Sequence, residues 1–260
     1  MQESLRASVL AAQNASRVKS DFLSQMSHEI RTPMNAVVGM VQIAEARLND
    51  RDRVLDCLHK IKSSSMHLLN LINDILDISK IESQKMSLSE AWFGLEGLLD
   101  DLNNIISVQA AMRSQRFVIQ NQAGNVELLA DRMRLSQVLM NLVNNSVKYT
   151  PDGGHITLTV TQSPSKASDY CLMHFCIEDN GIGMSKEFQK KLFTPFERED
   201  NQVIRAQNGT GLGLSIVQSM VSLMGGPSVR KAQKGLERFF MWTSNLSASR
   251  PECRSRLLLR

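Results

Sequence analysis

Residues 22–35 have the sequence FLSQMSHEIRTPMN, which places a histidine, an acid and a proline inside an otherwise helical pattern. The imidazole of His28 is a competent nucleophile at neutral pH, and the adjacent Glu29 can orient it or accept its proton. Pro33 removes one helical hydrogen bond and is expected to bend the helix just past the histidine. Taken alone, the stretch is best interpreted as a kinked helix with one exposed histidine, and only motifs further along the chain favour a functional role.

Two long amphipathic helices surround this stretch. Apolar residues spaced by three, four and seven predict a first helix over residues 3–48, broken only near Pro33. After a polar turn at residues 49–52, a second stripe close to heptad spacing predicts a helix to about Ile81. The resulting antiparallel hairpin has an apolar face too wide to bury alone. We therefore expect homodimerisation into a four-helix bundle, the alternative being packing against the C-terminal part of the chain.

The composition excludes several classes of protein. The chain has 260 residues, 42% of them hydrophobic and 22% charged, which is typical of a soluble globular protein of one or two domains. The net charge of +4 comes with no basic stripe interleaved with aromatic residues, so we expect no nucleic-acid binding. The four cysteines form no CxxC pair, which argues against a disulfide framework or a zinc site and fits a reducing cytoplasm.

No membrane-targeting signal is visible in the sequence. No apolar run is long enough to cross a bilayer, and residues 1–20 are polar and helical rather than a signal peptide. We therefore expect a cytoplasmic chain with no transmembrane segment and no membrane sensor of its own.

Near residues 83–89 the pattern changes and predicts a second domain of mixed helices and strands. Such a mixture favours an α/β sandwich with helices packed on one face of a sheet. Helices are predicted over residues 95–112, 132–148, 185–192 and 212–224, and strands over residues 116–120, 126–130, 155–161 and 170–178.

The first motif of this domain is LMNLVNNSVKYT, residues 139–150. Asn141, Asn145 and Lys148 are spaced i, i+4 and i+7 and therefore share one face of a helix. Amide oxygens suit a hard cation such as Mg²⁺, and the lysine can reach a phosphate. For this helix alone, a solvated polar stripe is the favoured interpretation.

The second motif, EDNGIGM at residues 178–184, directly follows a predicted strand. Gly181 and Gly183 allow a tight turn and a close approach of the backbone to a ligand. Asp179 is placed to accept a hydrogen bond from an adenine amino group. Many turns between a strand and a helix have this pattern, so the motif alone is weak.

The third motif, NGTGLGLSI at residues 208–216, places three glycines before a helix. Backbone N–H groups and the helix N-terminus form an anion site suited to a triphosphate. The pattern follows a polar loop rather than a strand, which argues against a dinucleotide site. Before it, Phe193 and Phe196 are expected to anchor a lid formed by residues 199–208, the alternative being an ordinary surface loop.

Together, in this order after the His28 helix, the three motifs and the segment with Phe193 and Phe196 resemble the catalytic core of sensor histidine kinases, especially the bacterial hybrid type, across residues 15–226. The resemblance implies a fold that is α then α/β. A dimerisation and histidine-phosphotransfer hairpin (residues 1–86) precedes a GHKL (Bergerat) ATP-binding domain (residues 87–246). A basic tail at residues 247–260 has no globular pattern and is expected to be unstructured.

The same resemblance implies the roles of the residues. His28 attacks the γ-phosphoryl group of ATP with Glu29 as base, and Thr32 helps a water to dephosphorylate a response regulator. An aspartate of a response-regulator receiver domain, supplied in trans, accepts the phosphoryl group. Asn141 and Asn145 would hold Mg²⁺, and the implied ATP-binding residues are Asn141, Asn145, Lys148, Tyr149, Asp179, Gly181, Gly183, Phe193, Phe196, Gly209, Thr210, Gly211, Leu212, Gly213 and Leu214.

The chain departs from that family after Gly226. Residues 227–231 break an expected strand, and residues 235–242 lack the second glycine of an expected turn. Shifting the reading frame by one base over residues 237–245 allows Gly-Thr-x-Phe-Tyr-Val-Asp-Ile-Lys, so we interpret the end as a frameshift, either real or a sequencing error, that truncates a longer hybrid kinase, for which a membrane-anchored parent is one origin. Loss of a strand pair should expose sheet edges and weaken the domain. The alternative function is a catalytically weak fragment that dimerises through residues 3–82 and titrates a regulator or a partner kinase.

Overall fold

The computed structural model describes residues 2–83, 85–164, 171–199, 210–224, 238–246 and 248–249. The chain divides into two compact units, residues 1–77 and residues 78–260. None of the helices within these described ranges is both long enough and apolar enough to cross a membrane.

The first unit is built from α1 (Gln2–Ala46) and from α2 (Arg51–Glu82) up to residue 77, while the end of α2 belongs to the second unit. The turn between them is fixed by Asp50, whose side-chain Oδ1 accepts the N–H of Arg53 at 3.1 Å and caps α2. The predicted break near Pro33 is wrong, since α1 continues without interruption through this residue. A proline removes only one N–H from the ladder, and Pro33 is buried within the continuous helix.

Both helices of the first unit present large apolar side chains to solvent. Leu71 and Cys57 are buried, whereas a longer series of apolar residues on both helices is exposed. Monomeric proteins rarely expose large contiguous apolar patches, and such patches commonly mark interaction sites. The exposed residues are Leu23, Met34, Val38, Val41, Ile43, Leu48, Leu55, Leu58, Met66, Leu69, Ile72 and Leu76.

The second unit contains a four-stranded sheet and a three-stranded sheet. The larger sheet has the order β2-β4-β5-β6, in which β2 and β4 are parallel and the other pairs antiparallel. The smaller sheet has the order β1-β3-β7 and is antiparallel. The strands are β1 (Ala91–Gly94), β2 (Arg116–Asn121), β3 (Glu127–Ala130), β4 (His155–Pro164), β5 (Cys171–Asp179), β6 (Arg238–Leu246) and β7 (Ala248–Ser249), and the helices are α3 (Leu95–Met112), α4 (Arg132–Tyr149), α5 (Lys186–Gln189) and α6 (Gly213–Leu223).

The core of the second unit lies between the larger sheet and its helices. Alternate residues of β4 and β5 are fully buried, and their register places Leu158 beside Ile177 and Val160 beside Phe175. Apolar faces of α3, α4 and α6, including Ile106, are buried in the same way. This layer of helices on a sheet is the predicted α/β sandwich, and the fold class is confirmed.

Two local predictions fail at short elements. The sequence did not predict β1, because four residues are too few to show an alternation of apolar and polar side chains. The strand is defined by its pairing with β3. The helix predicted over residues 185–192 is shorter, and α5 ends at Gln189.

The sequence predicted that a strand pair is lost at the C-terminal end, but the structure forms a strand there, β6. β6 pairs with β5 along nine residues, from Asp179 opposite Arg238 to Cys171 opposite Leu246, so β5 is not an edge strand. Backbone groups alone form an antiparallel ladder, and the sequence RFFMW at residues 238–242 has high β-propensity. Residues 248–249, within the tail expected to be unstructured, pair with β3, whereas residues 227–231 lie outside the described residues.

Candidate functional site

Helix α4 carries the three polar residues of the first motif on one half-buried face. Asp131 caps its N-terminus by accepting the N–H of Arg134 at 3.0 Å, and the opposite face is buried in the core. Asn141, Asn145 and Lys148 are all half-buried, as their spacing predicts for the edge of an apolar face.

Asn141 lies beside the start of α6. Its Cγ is 4.0 Å from the position that a Cβ would occupy on Gly213, so the first and third motifs meet here. The Asn141 Nδ2 is buried and has no hydrogen-bond partner among the described residues, and the same holds for the Asn144 Oδ1. Unsatisfied buried amide atoms are costly in a folded protein and point to a bound polar group.

The loop after β5 is folded around the side chain of Asp179. This residue is only 1% exposed, and its Oδ1 accepts the N–H of Gly181 at 2.9 Å. A Cβ on Gly181 would lie 2.7 Å from that oxygen and 2.8 Å from the carbonyl oxygen of Tyr149, so only glycine fits. The Ile182 N–H also donates to the Tyr149 carbonyl, at 3.2 Å, which fixes the loop to the last turn of α4.

Phe196 and Gly211 meet in the backbone. The buried Phe196 has φ of +64°, and its N–H donates to the Gly211 carbonyl at 3.1 Å. Gly211 has φ of +70°, and a Cβ there would lie 2.8 Å from the Cα of Phe196. Phe193 is half-buried nearby in sequence. The two segments that flank the predicted lid are therefore joined, while residues 200–209, including Gly209, lie outside the described residues.

Among the described residues, no side chain of the N-cap position caps the start of α6. Leu212 is buried and offers no side-chain cap to the helix, while its N–H donates to the Thr210 Oγ1 at 3.2 Å. Gly213 and Leu214 begin the helix and are half-buried. An uncapped helix N-terminus of this kind favours an anion.

Lys148 is electrostatically perturbed. Burial, and secondarily the nearby positive charge of Arg198, lowers the pKa of Lys148 to about 8. Its Nζ lies 4.8 Å from the centroid of the Tyr149 ring, which is half-buried. A cation held among other positive charges, in a partly desolvated place, is favoured by the arrival of an anion.

The first unit presents His28 on the surface of α1. Its side chain is exposed and the adjacent Glu29 is half-buried. The exposed Thr32 donates its hydroxyl to the His28 carbonyl at 3.2 Å, one helical turn away. The imidazole is thus accessible to a reacting partner.

Within the part of the chain that the structure describes, no three His, Cys, Asp or Glu side chains are grouped so as to hold a metal ion. The predicted Mg²⁺ ligands, Asn141 and Asn145, are amides and fall outside such a group.

Comparison with known families assigns both units. Residues 18–84 match the His Kinase A (phospho-acceptor) domain. Residues 130–246 match the histidine kinase-, DNA gyrase B-, and HSP90-like ATPase family. The chain belongs to the sensor histidine kinases. The resemblance drawn from its motifs is confirmed.

Individual curated relatives and solved structures of histidine kinases are also similar to this chain. RpfC, a sensory/regulatory protein of Xanthomonas campestris pv. campestris, is 39% identical over 220 residues, which cover 84% of this chain but only 30% of RpfC. The chain thus spans less than a third of that relative. Full-length ShkA, solved in complex with AMPPNP, is 28% identical with a TM-score of 0.65, covering 88% of this chain and 46% of ShkA. ThkA, solved in complex with the response regulator protein TrrA, has a TM-score of 0.65 over 89% of this chain and 63% of ThkA, and at 21% identity it shows the fold alone.

Several residues of this histidine kinase site carry no signal in the sequence. Arg198 acts on Lys148 from a distance of fifty positions along the chain, and no spacing rule connects them. The Glu199 Oε1 accepts the N–H of Ser185 at 2.9 Å and so ties the segment after Phe196 to the loop after β5. Such contacts depend on tertiary structure and could not be predicted from a motif.

Proposed function

We propose that this chain is the kinase core of a two-component sensor. It transfers the γ-phosphoryl group of ATP to His28, and then to an aspartate on the receiver domain of a response regulator. The observation that carries the proposal is the presence, in one chain, of an exposed histidine in a phospho-acceptor domain and of an ATPase-family domain. The chain's resemblance to ShkA, which was solved with AMPPNP, supports an adenine nucleotide as the ligand.

The adenine would bind at the loop after β5. Asp179 has a carboxylate held in place by the Gly181 N–H, and it is our candidate acceptor for the exocyclic amino group. Gly181 and Gly183 keep the loop close to the ligand, because Gly183 has φ of +70° and Gly181 has no room for a Cβ.

The phosphates would lie between α4 and the start of α6. The N–H groups of Gly213 and Leu214 offer donors, and Lys148 offers a positive charge. The buried, partnerless Nδ2 of Asn141 fits the same ligand, since a phosphate oxygen would satisfy it. Residues 209–214, with Thr210, Gly211 and Leu212 at their centre, would follow the phosphate chain.

The amides of Asn141 and Asn145 fit a magnesium ion through their Oδ1 atoms. Both lie on the half-buried face of α4, and Asn141 lies beside Gly213, where the phosphates are proposed. When bound, Mg²⁺ neutralises charge on the phosphate oxygens.

His28 acts as the nucleophile. One imidazole nitrogen forms a bond to the γ-phosphorus as the bond to the departing ADP oxygen breaks, and Glu29 accepts the proton from the other nitrogen. Positioning and charge neutralisation provide most of the catalysis in such transfers. Thr32, one turn after His28, is placed to orient a water that removes the phosphoryl group from the regulator.

The proposed partners are a second copy of the chain and a response regulator. The exposed apolar side chains of α1 and α2 fit a four-helix bundle formed by two hairpins. The regulator is proposed as the acceptor because the phospho-acceptor domain presents His28 on its surface.

The linkage of the transferred phosphoryl group tests the proposal. Purified protein is incubated with Mg²⁺ and with ATP labelled at either the γ- or the α-phosphate. We expect label only from γ-labelled ATP, in a bond that acid breaks and base leaves intact, as for a phosphorylated histidine. Label that survives acid, or no label in protein shown to bind ATP, would contradict the kinase proposal and favour the dimerising, non-enzymatic fragment.

A further inference from the structure

The C-terminal end of α4 is held by two side chains that belong to none of the sequence motifs. They are Arg113 and Gln115, which lie in the turn between α3 and β2. The end of α4 matters because Lys148 and Tyr149 form its last turn. Contacts to that end can therefore control the nucleotide site without touching the nucleotide.

The turn itself is built to project both side chains in this direction. The Gln115 N–H donates to the Ala110 carbonyl at 2.8 Å, and the Ser114 N–H donates to the Ala111 carbonyl at 3.0 Å. With Ser114 at φ of +51°, these bonds form a Schellman motif that ends α3. The motif reverses the chain sharply and leaves Arg113 and Gln115 flanking the reversal.

Arg113 binds the last carbonyls of α4. Its Nη1 donates to the carbonyl oxygens of Val147 and Lys148, and its Nε donates to the Asp152 Oδ1 at 3.1 Å. Its guanidinium therefore lies at the negative end of the helix dipole, where a cation is stabilising. The Gly153 N–H returns a bond to the Arg113 carbonyl at 3.2 Å, which closes the contact from the other side.

Gln115 completes the clamp from a buried position. It is 6% exposed, and its Nε2 donates to the carbonyl oxygens of Val147 at 3.0 Å and Thr150 at 2.8 Å. The Pro151 carbonyl lies at 3.4 Å from the same nitrogen. Three acceptors around one nitrogen require a donor, so a carboxylate of the same shape would be repelled by all three oxygens.

The clamped segment in turn holds the adenine loop. Tyr149, next to the clamped carbonyls, accepts the Ile182 N–H through its own carbonyl. The His155 N–H donates to the Asn180 Oδ1 at 2.9 Å, and a Cβ on Gly154 would lie 2.8 Å from that oxygen. Residues 149–155 and residues 179–182 thus form one packed unit.

We propose that Arg113 and Gln115 are positioning residues for nucleotide binding, which set the last turn of α4 and hence the place of Lys148 and the adenine loop. This inference rests on the proposed function. It adds to that function two residues that act through hydrogen bonds to backbone carbonyls. Neither residue contacts the nucleotide.

The test compares Gln115→Glu and Arg113→Gln in the full chain with matched variants nearby. Gln120→Glu and Arg116→Gln make the same chemical changes at exposed side chains of β2. Ile106→Val, in the buried face of α3, provides a variant that is destabilised without touching the clamp. Dissociation constants for the non-hydrolysable analogue AMPPNP with Mg²⁺ are measured by calorimetry, beside a melting temperature for each protein.

We expect each clamp variant to bind the analogue about tenfold more weakly than wild type, since hydrogen bonds to backbone carbonyls are lost or reversed. Arg113→Lys, which keeps the charge, should recover part of the loss. The three matched variants should bind as wild type does, including Ile106→Val at its lowered melting temperature. Because the Arg113 side chain is partly exposed, Arg113→Gln remains informative if Gln115→Glu does not fold.

The outcomes separate the two claims. If wild type binds AMPPNP and the folded clamp variants bind it equally well, the positioning role is wrong and the proposed function stands. If Ile106→Val loses as much affinity as the clamp variants, the effect is general destabilisation and the positioning role is again wrong. If wild type binds no analogue, both the inference and the proposed function fail.

Discussion

At the scale of the residue, Lys148 shows how position changes the chemistry of a side chain. Its place on the half-buried face of α4 follows from sequence spacing, but its lowered pKa does not. Burial removes water from the ammonium group, and Arg198 adds a second positive charge that arrives from the segment after Phe196. A phosphate bound nearby would offset the free-energy cost that both effects impose on the protonated lysine. Nucleotide binding and protonation of Lys148 are therefore coupled.

The coupling predicts a pH-dependent affinity. With a pKa of about 8 in the free protein, Lys148 is mostly a cation at neutral pH and loses its proton as the pH rises through that value. Nucleotide favours the charged form, so affinity for AMPPNP should fall as the pH rises above about 8, with proton uptake on binding. Calorimetric titrations across this range measure the fall.

A control variant separates Lys148 from other titrating groups. Arginine stays charged throughout this range, so Lys148→Arg should bind with an affinity that changes little with pH. If the variant and wild type show the same decline, another group is responsible and Lys148 is not the phosphate ligand that we propose.

At the scale of the element, the long periodic segments were predictable and the short ones were not. The bounds predicted for α3 agree with the structure, and the strands predicted over residues 155–161 and 170–178 correspond to β4 and β5. Local spacing carries that information. β1 depends on pairing with β3 more than thirty residues away, and the Arg113 and Gln115 contacts to α4 span similar distances, so no local pattern encodes them.

The joint between Phe196 and Gly211 gives a prediction at this scale. Alanine at position 211 would strain a backbone with φ of +70° and would press its Cβ against the Phe196 backbone. This local strain costs about 1–3 kcal/mol and should displace the segment at residues 209–214. We therefore expect the affinity for AMPPNP to fall about tenfold or more. Gly97→Ala is the matched control, since its Cβ would meet nothing within 4 Å. Wild-type affinity in Gly211→Ala would show that this joint does not shape the site.

At the scale of the whole molecule, the chain joins a phospho-acceptor unit to an ATPase-family unit. Motif order in the sequence predicted both: the His28 stretch lies within α1, residues 139–149 lie within α4, and the two glycine motifs follow β5 and precede α6. The altered C-terminal end was harder to predict. The sequence of β6 differs from the expected one, yet a backbone ladder with β5 needs only extended, β-prone residues.

The exposed apolar face of the hairpin predicts an obligate homodimer. Leu69→Glu and Ile72→Glu would each place a charge within the proposed bundle, and light scattering after size exclusion should report monomers for both. Met112→Glu, on the exposed surface of α3 at 83% exposure, should leave the dimer intact. A monomeric wild-type protein, or a dimer unaffected by both hairpin changes, would contradict the bundle.

Locating the phosphorylated residue tests whether His28 accepts the γ-phosphoryl group of ATP. Wild type, His28→Gln and His59→Gln are incubated with γ-labelled ATP and Mg²⁺, and the labelled residue is located by mass spectrometry at a pH where phosphohistidine survives. His59 is an exposed histidine on α2 and serves as the matched control. We expect label on His28 in wild type and in His59→Gln, and none in His28→Gln. Label of equal strength in His28→Gln would contradict it.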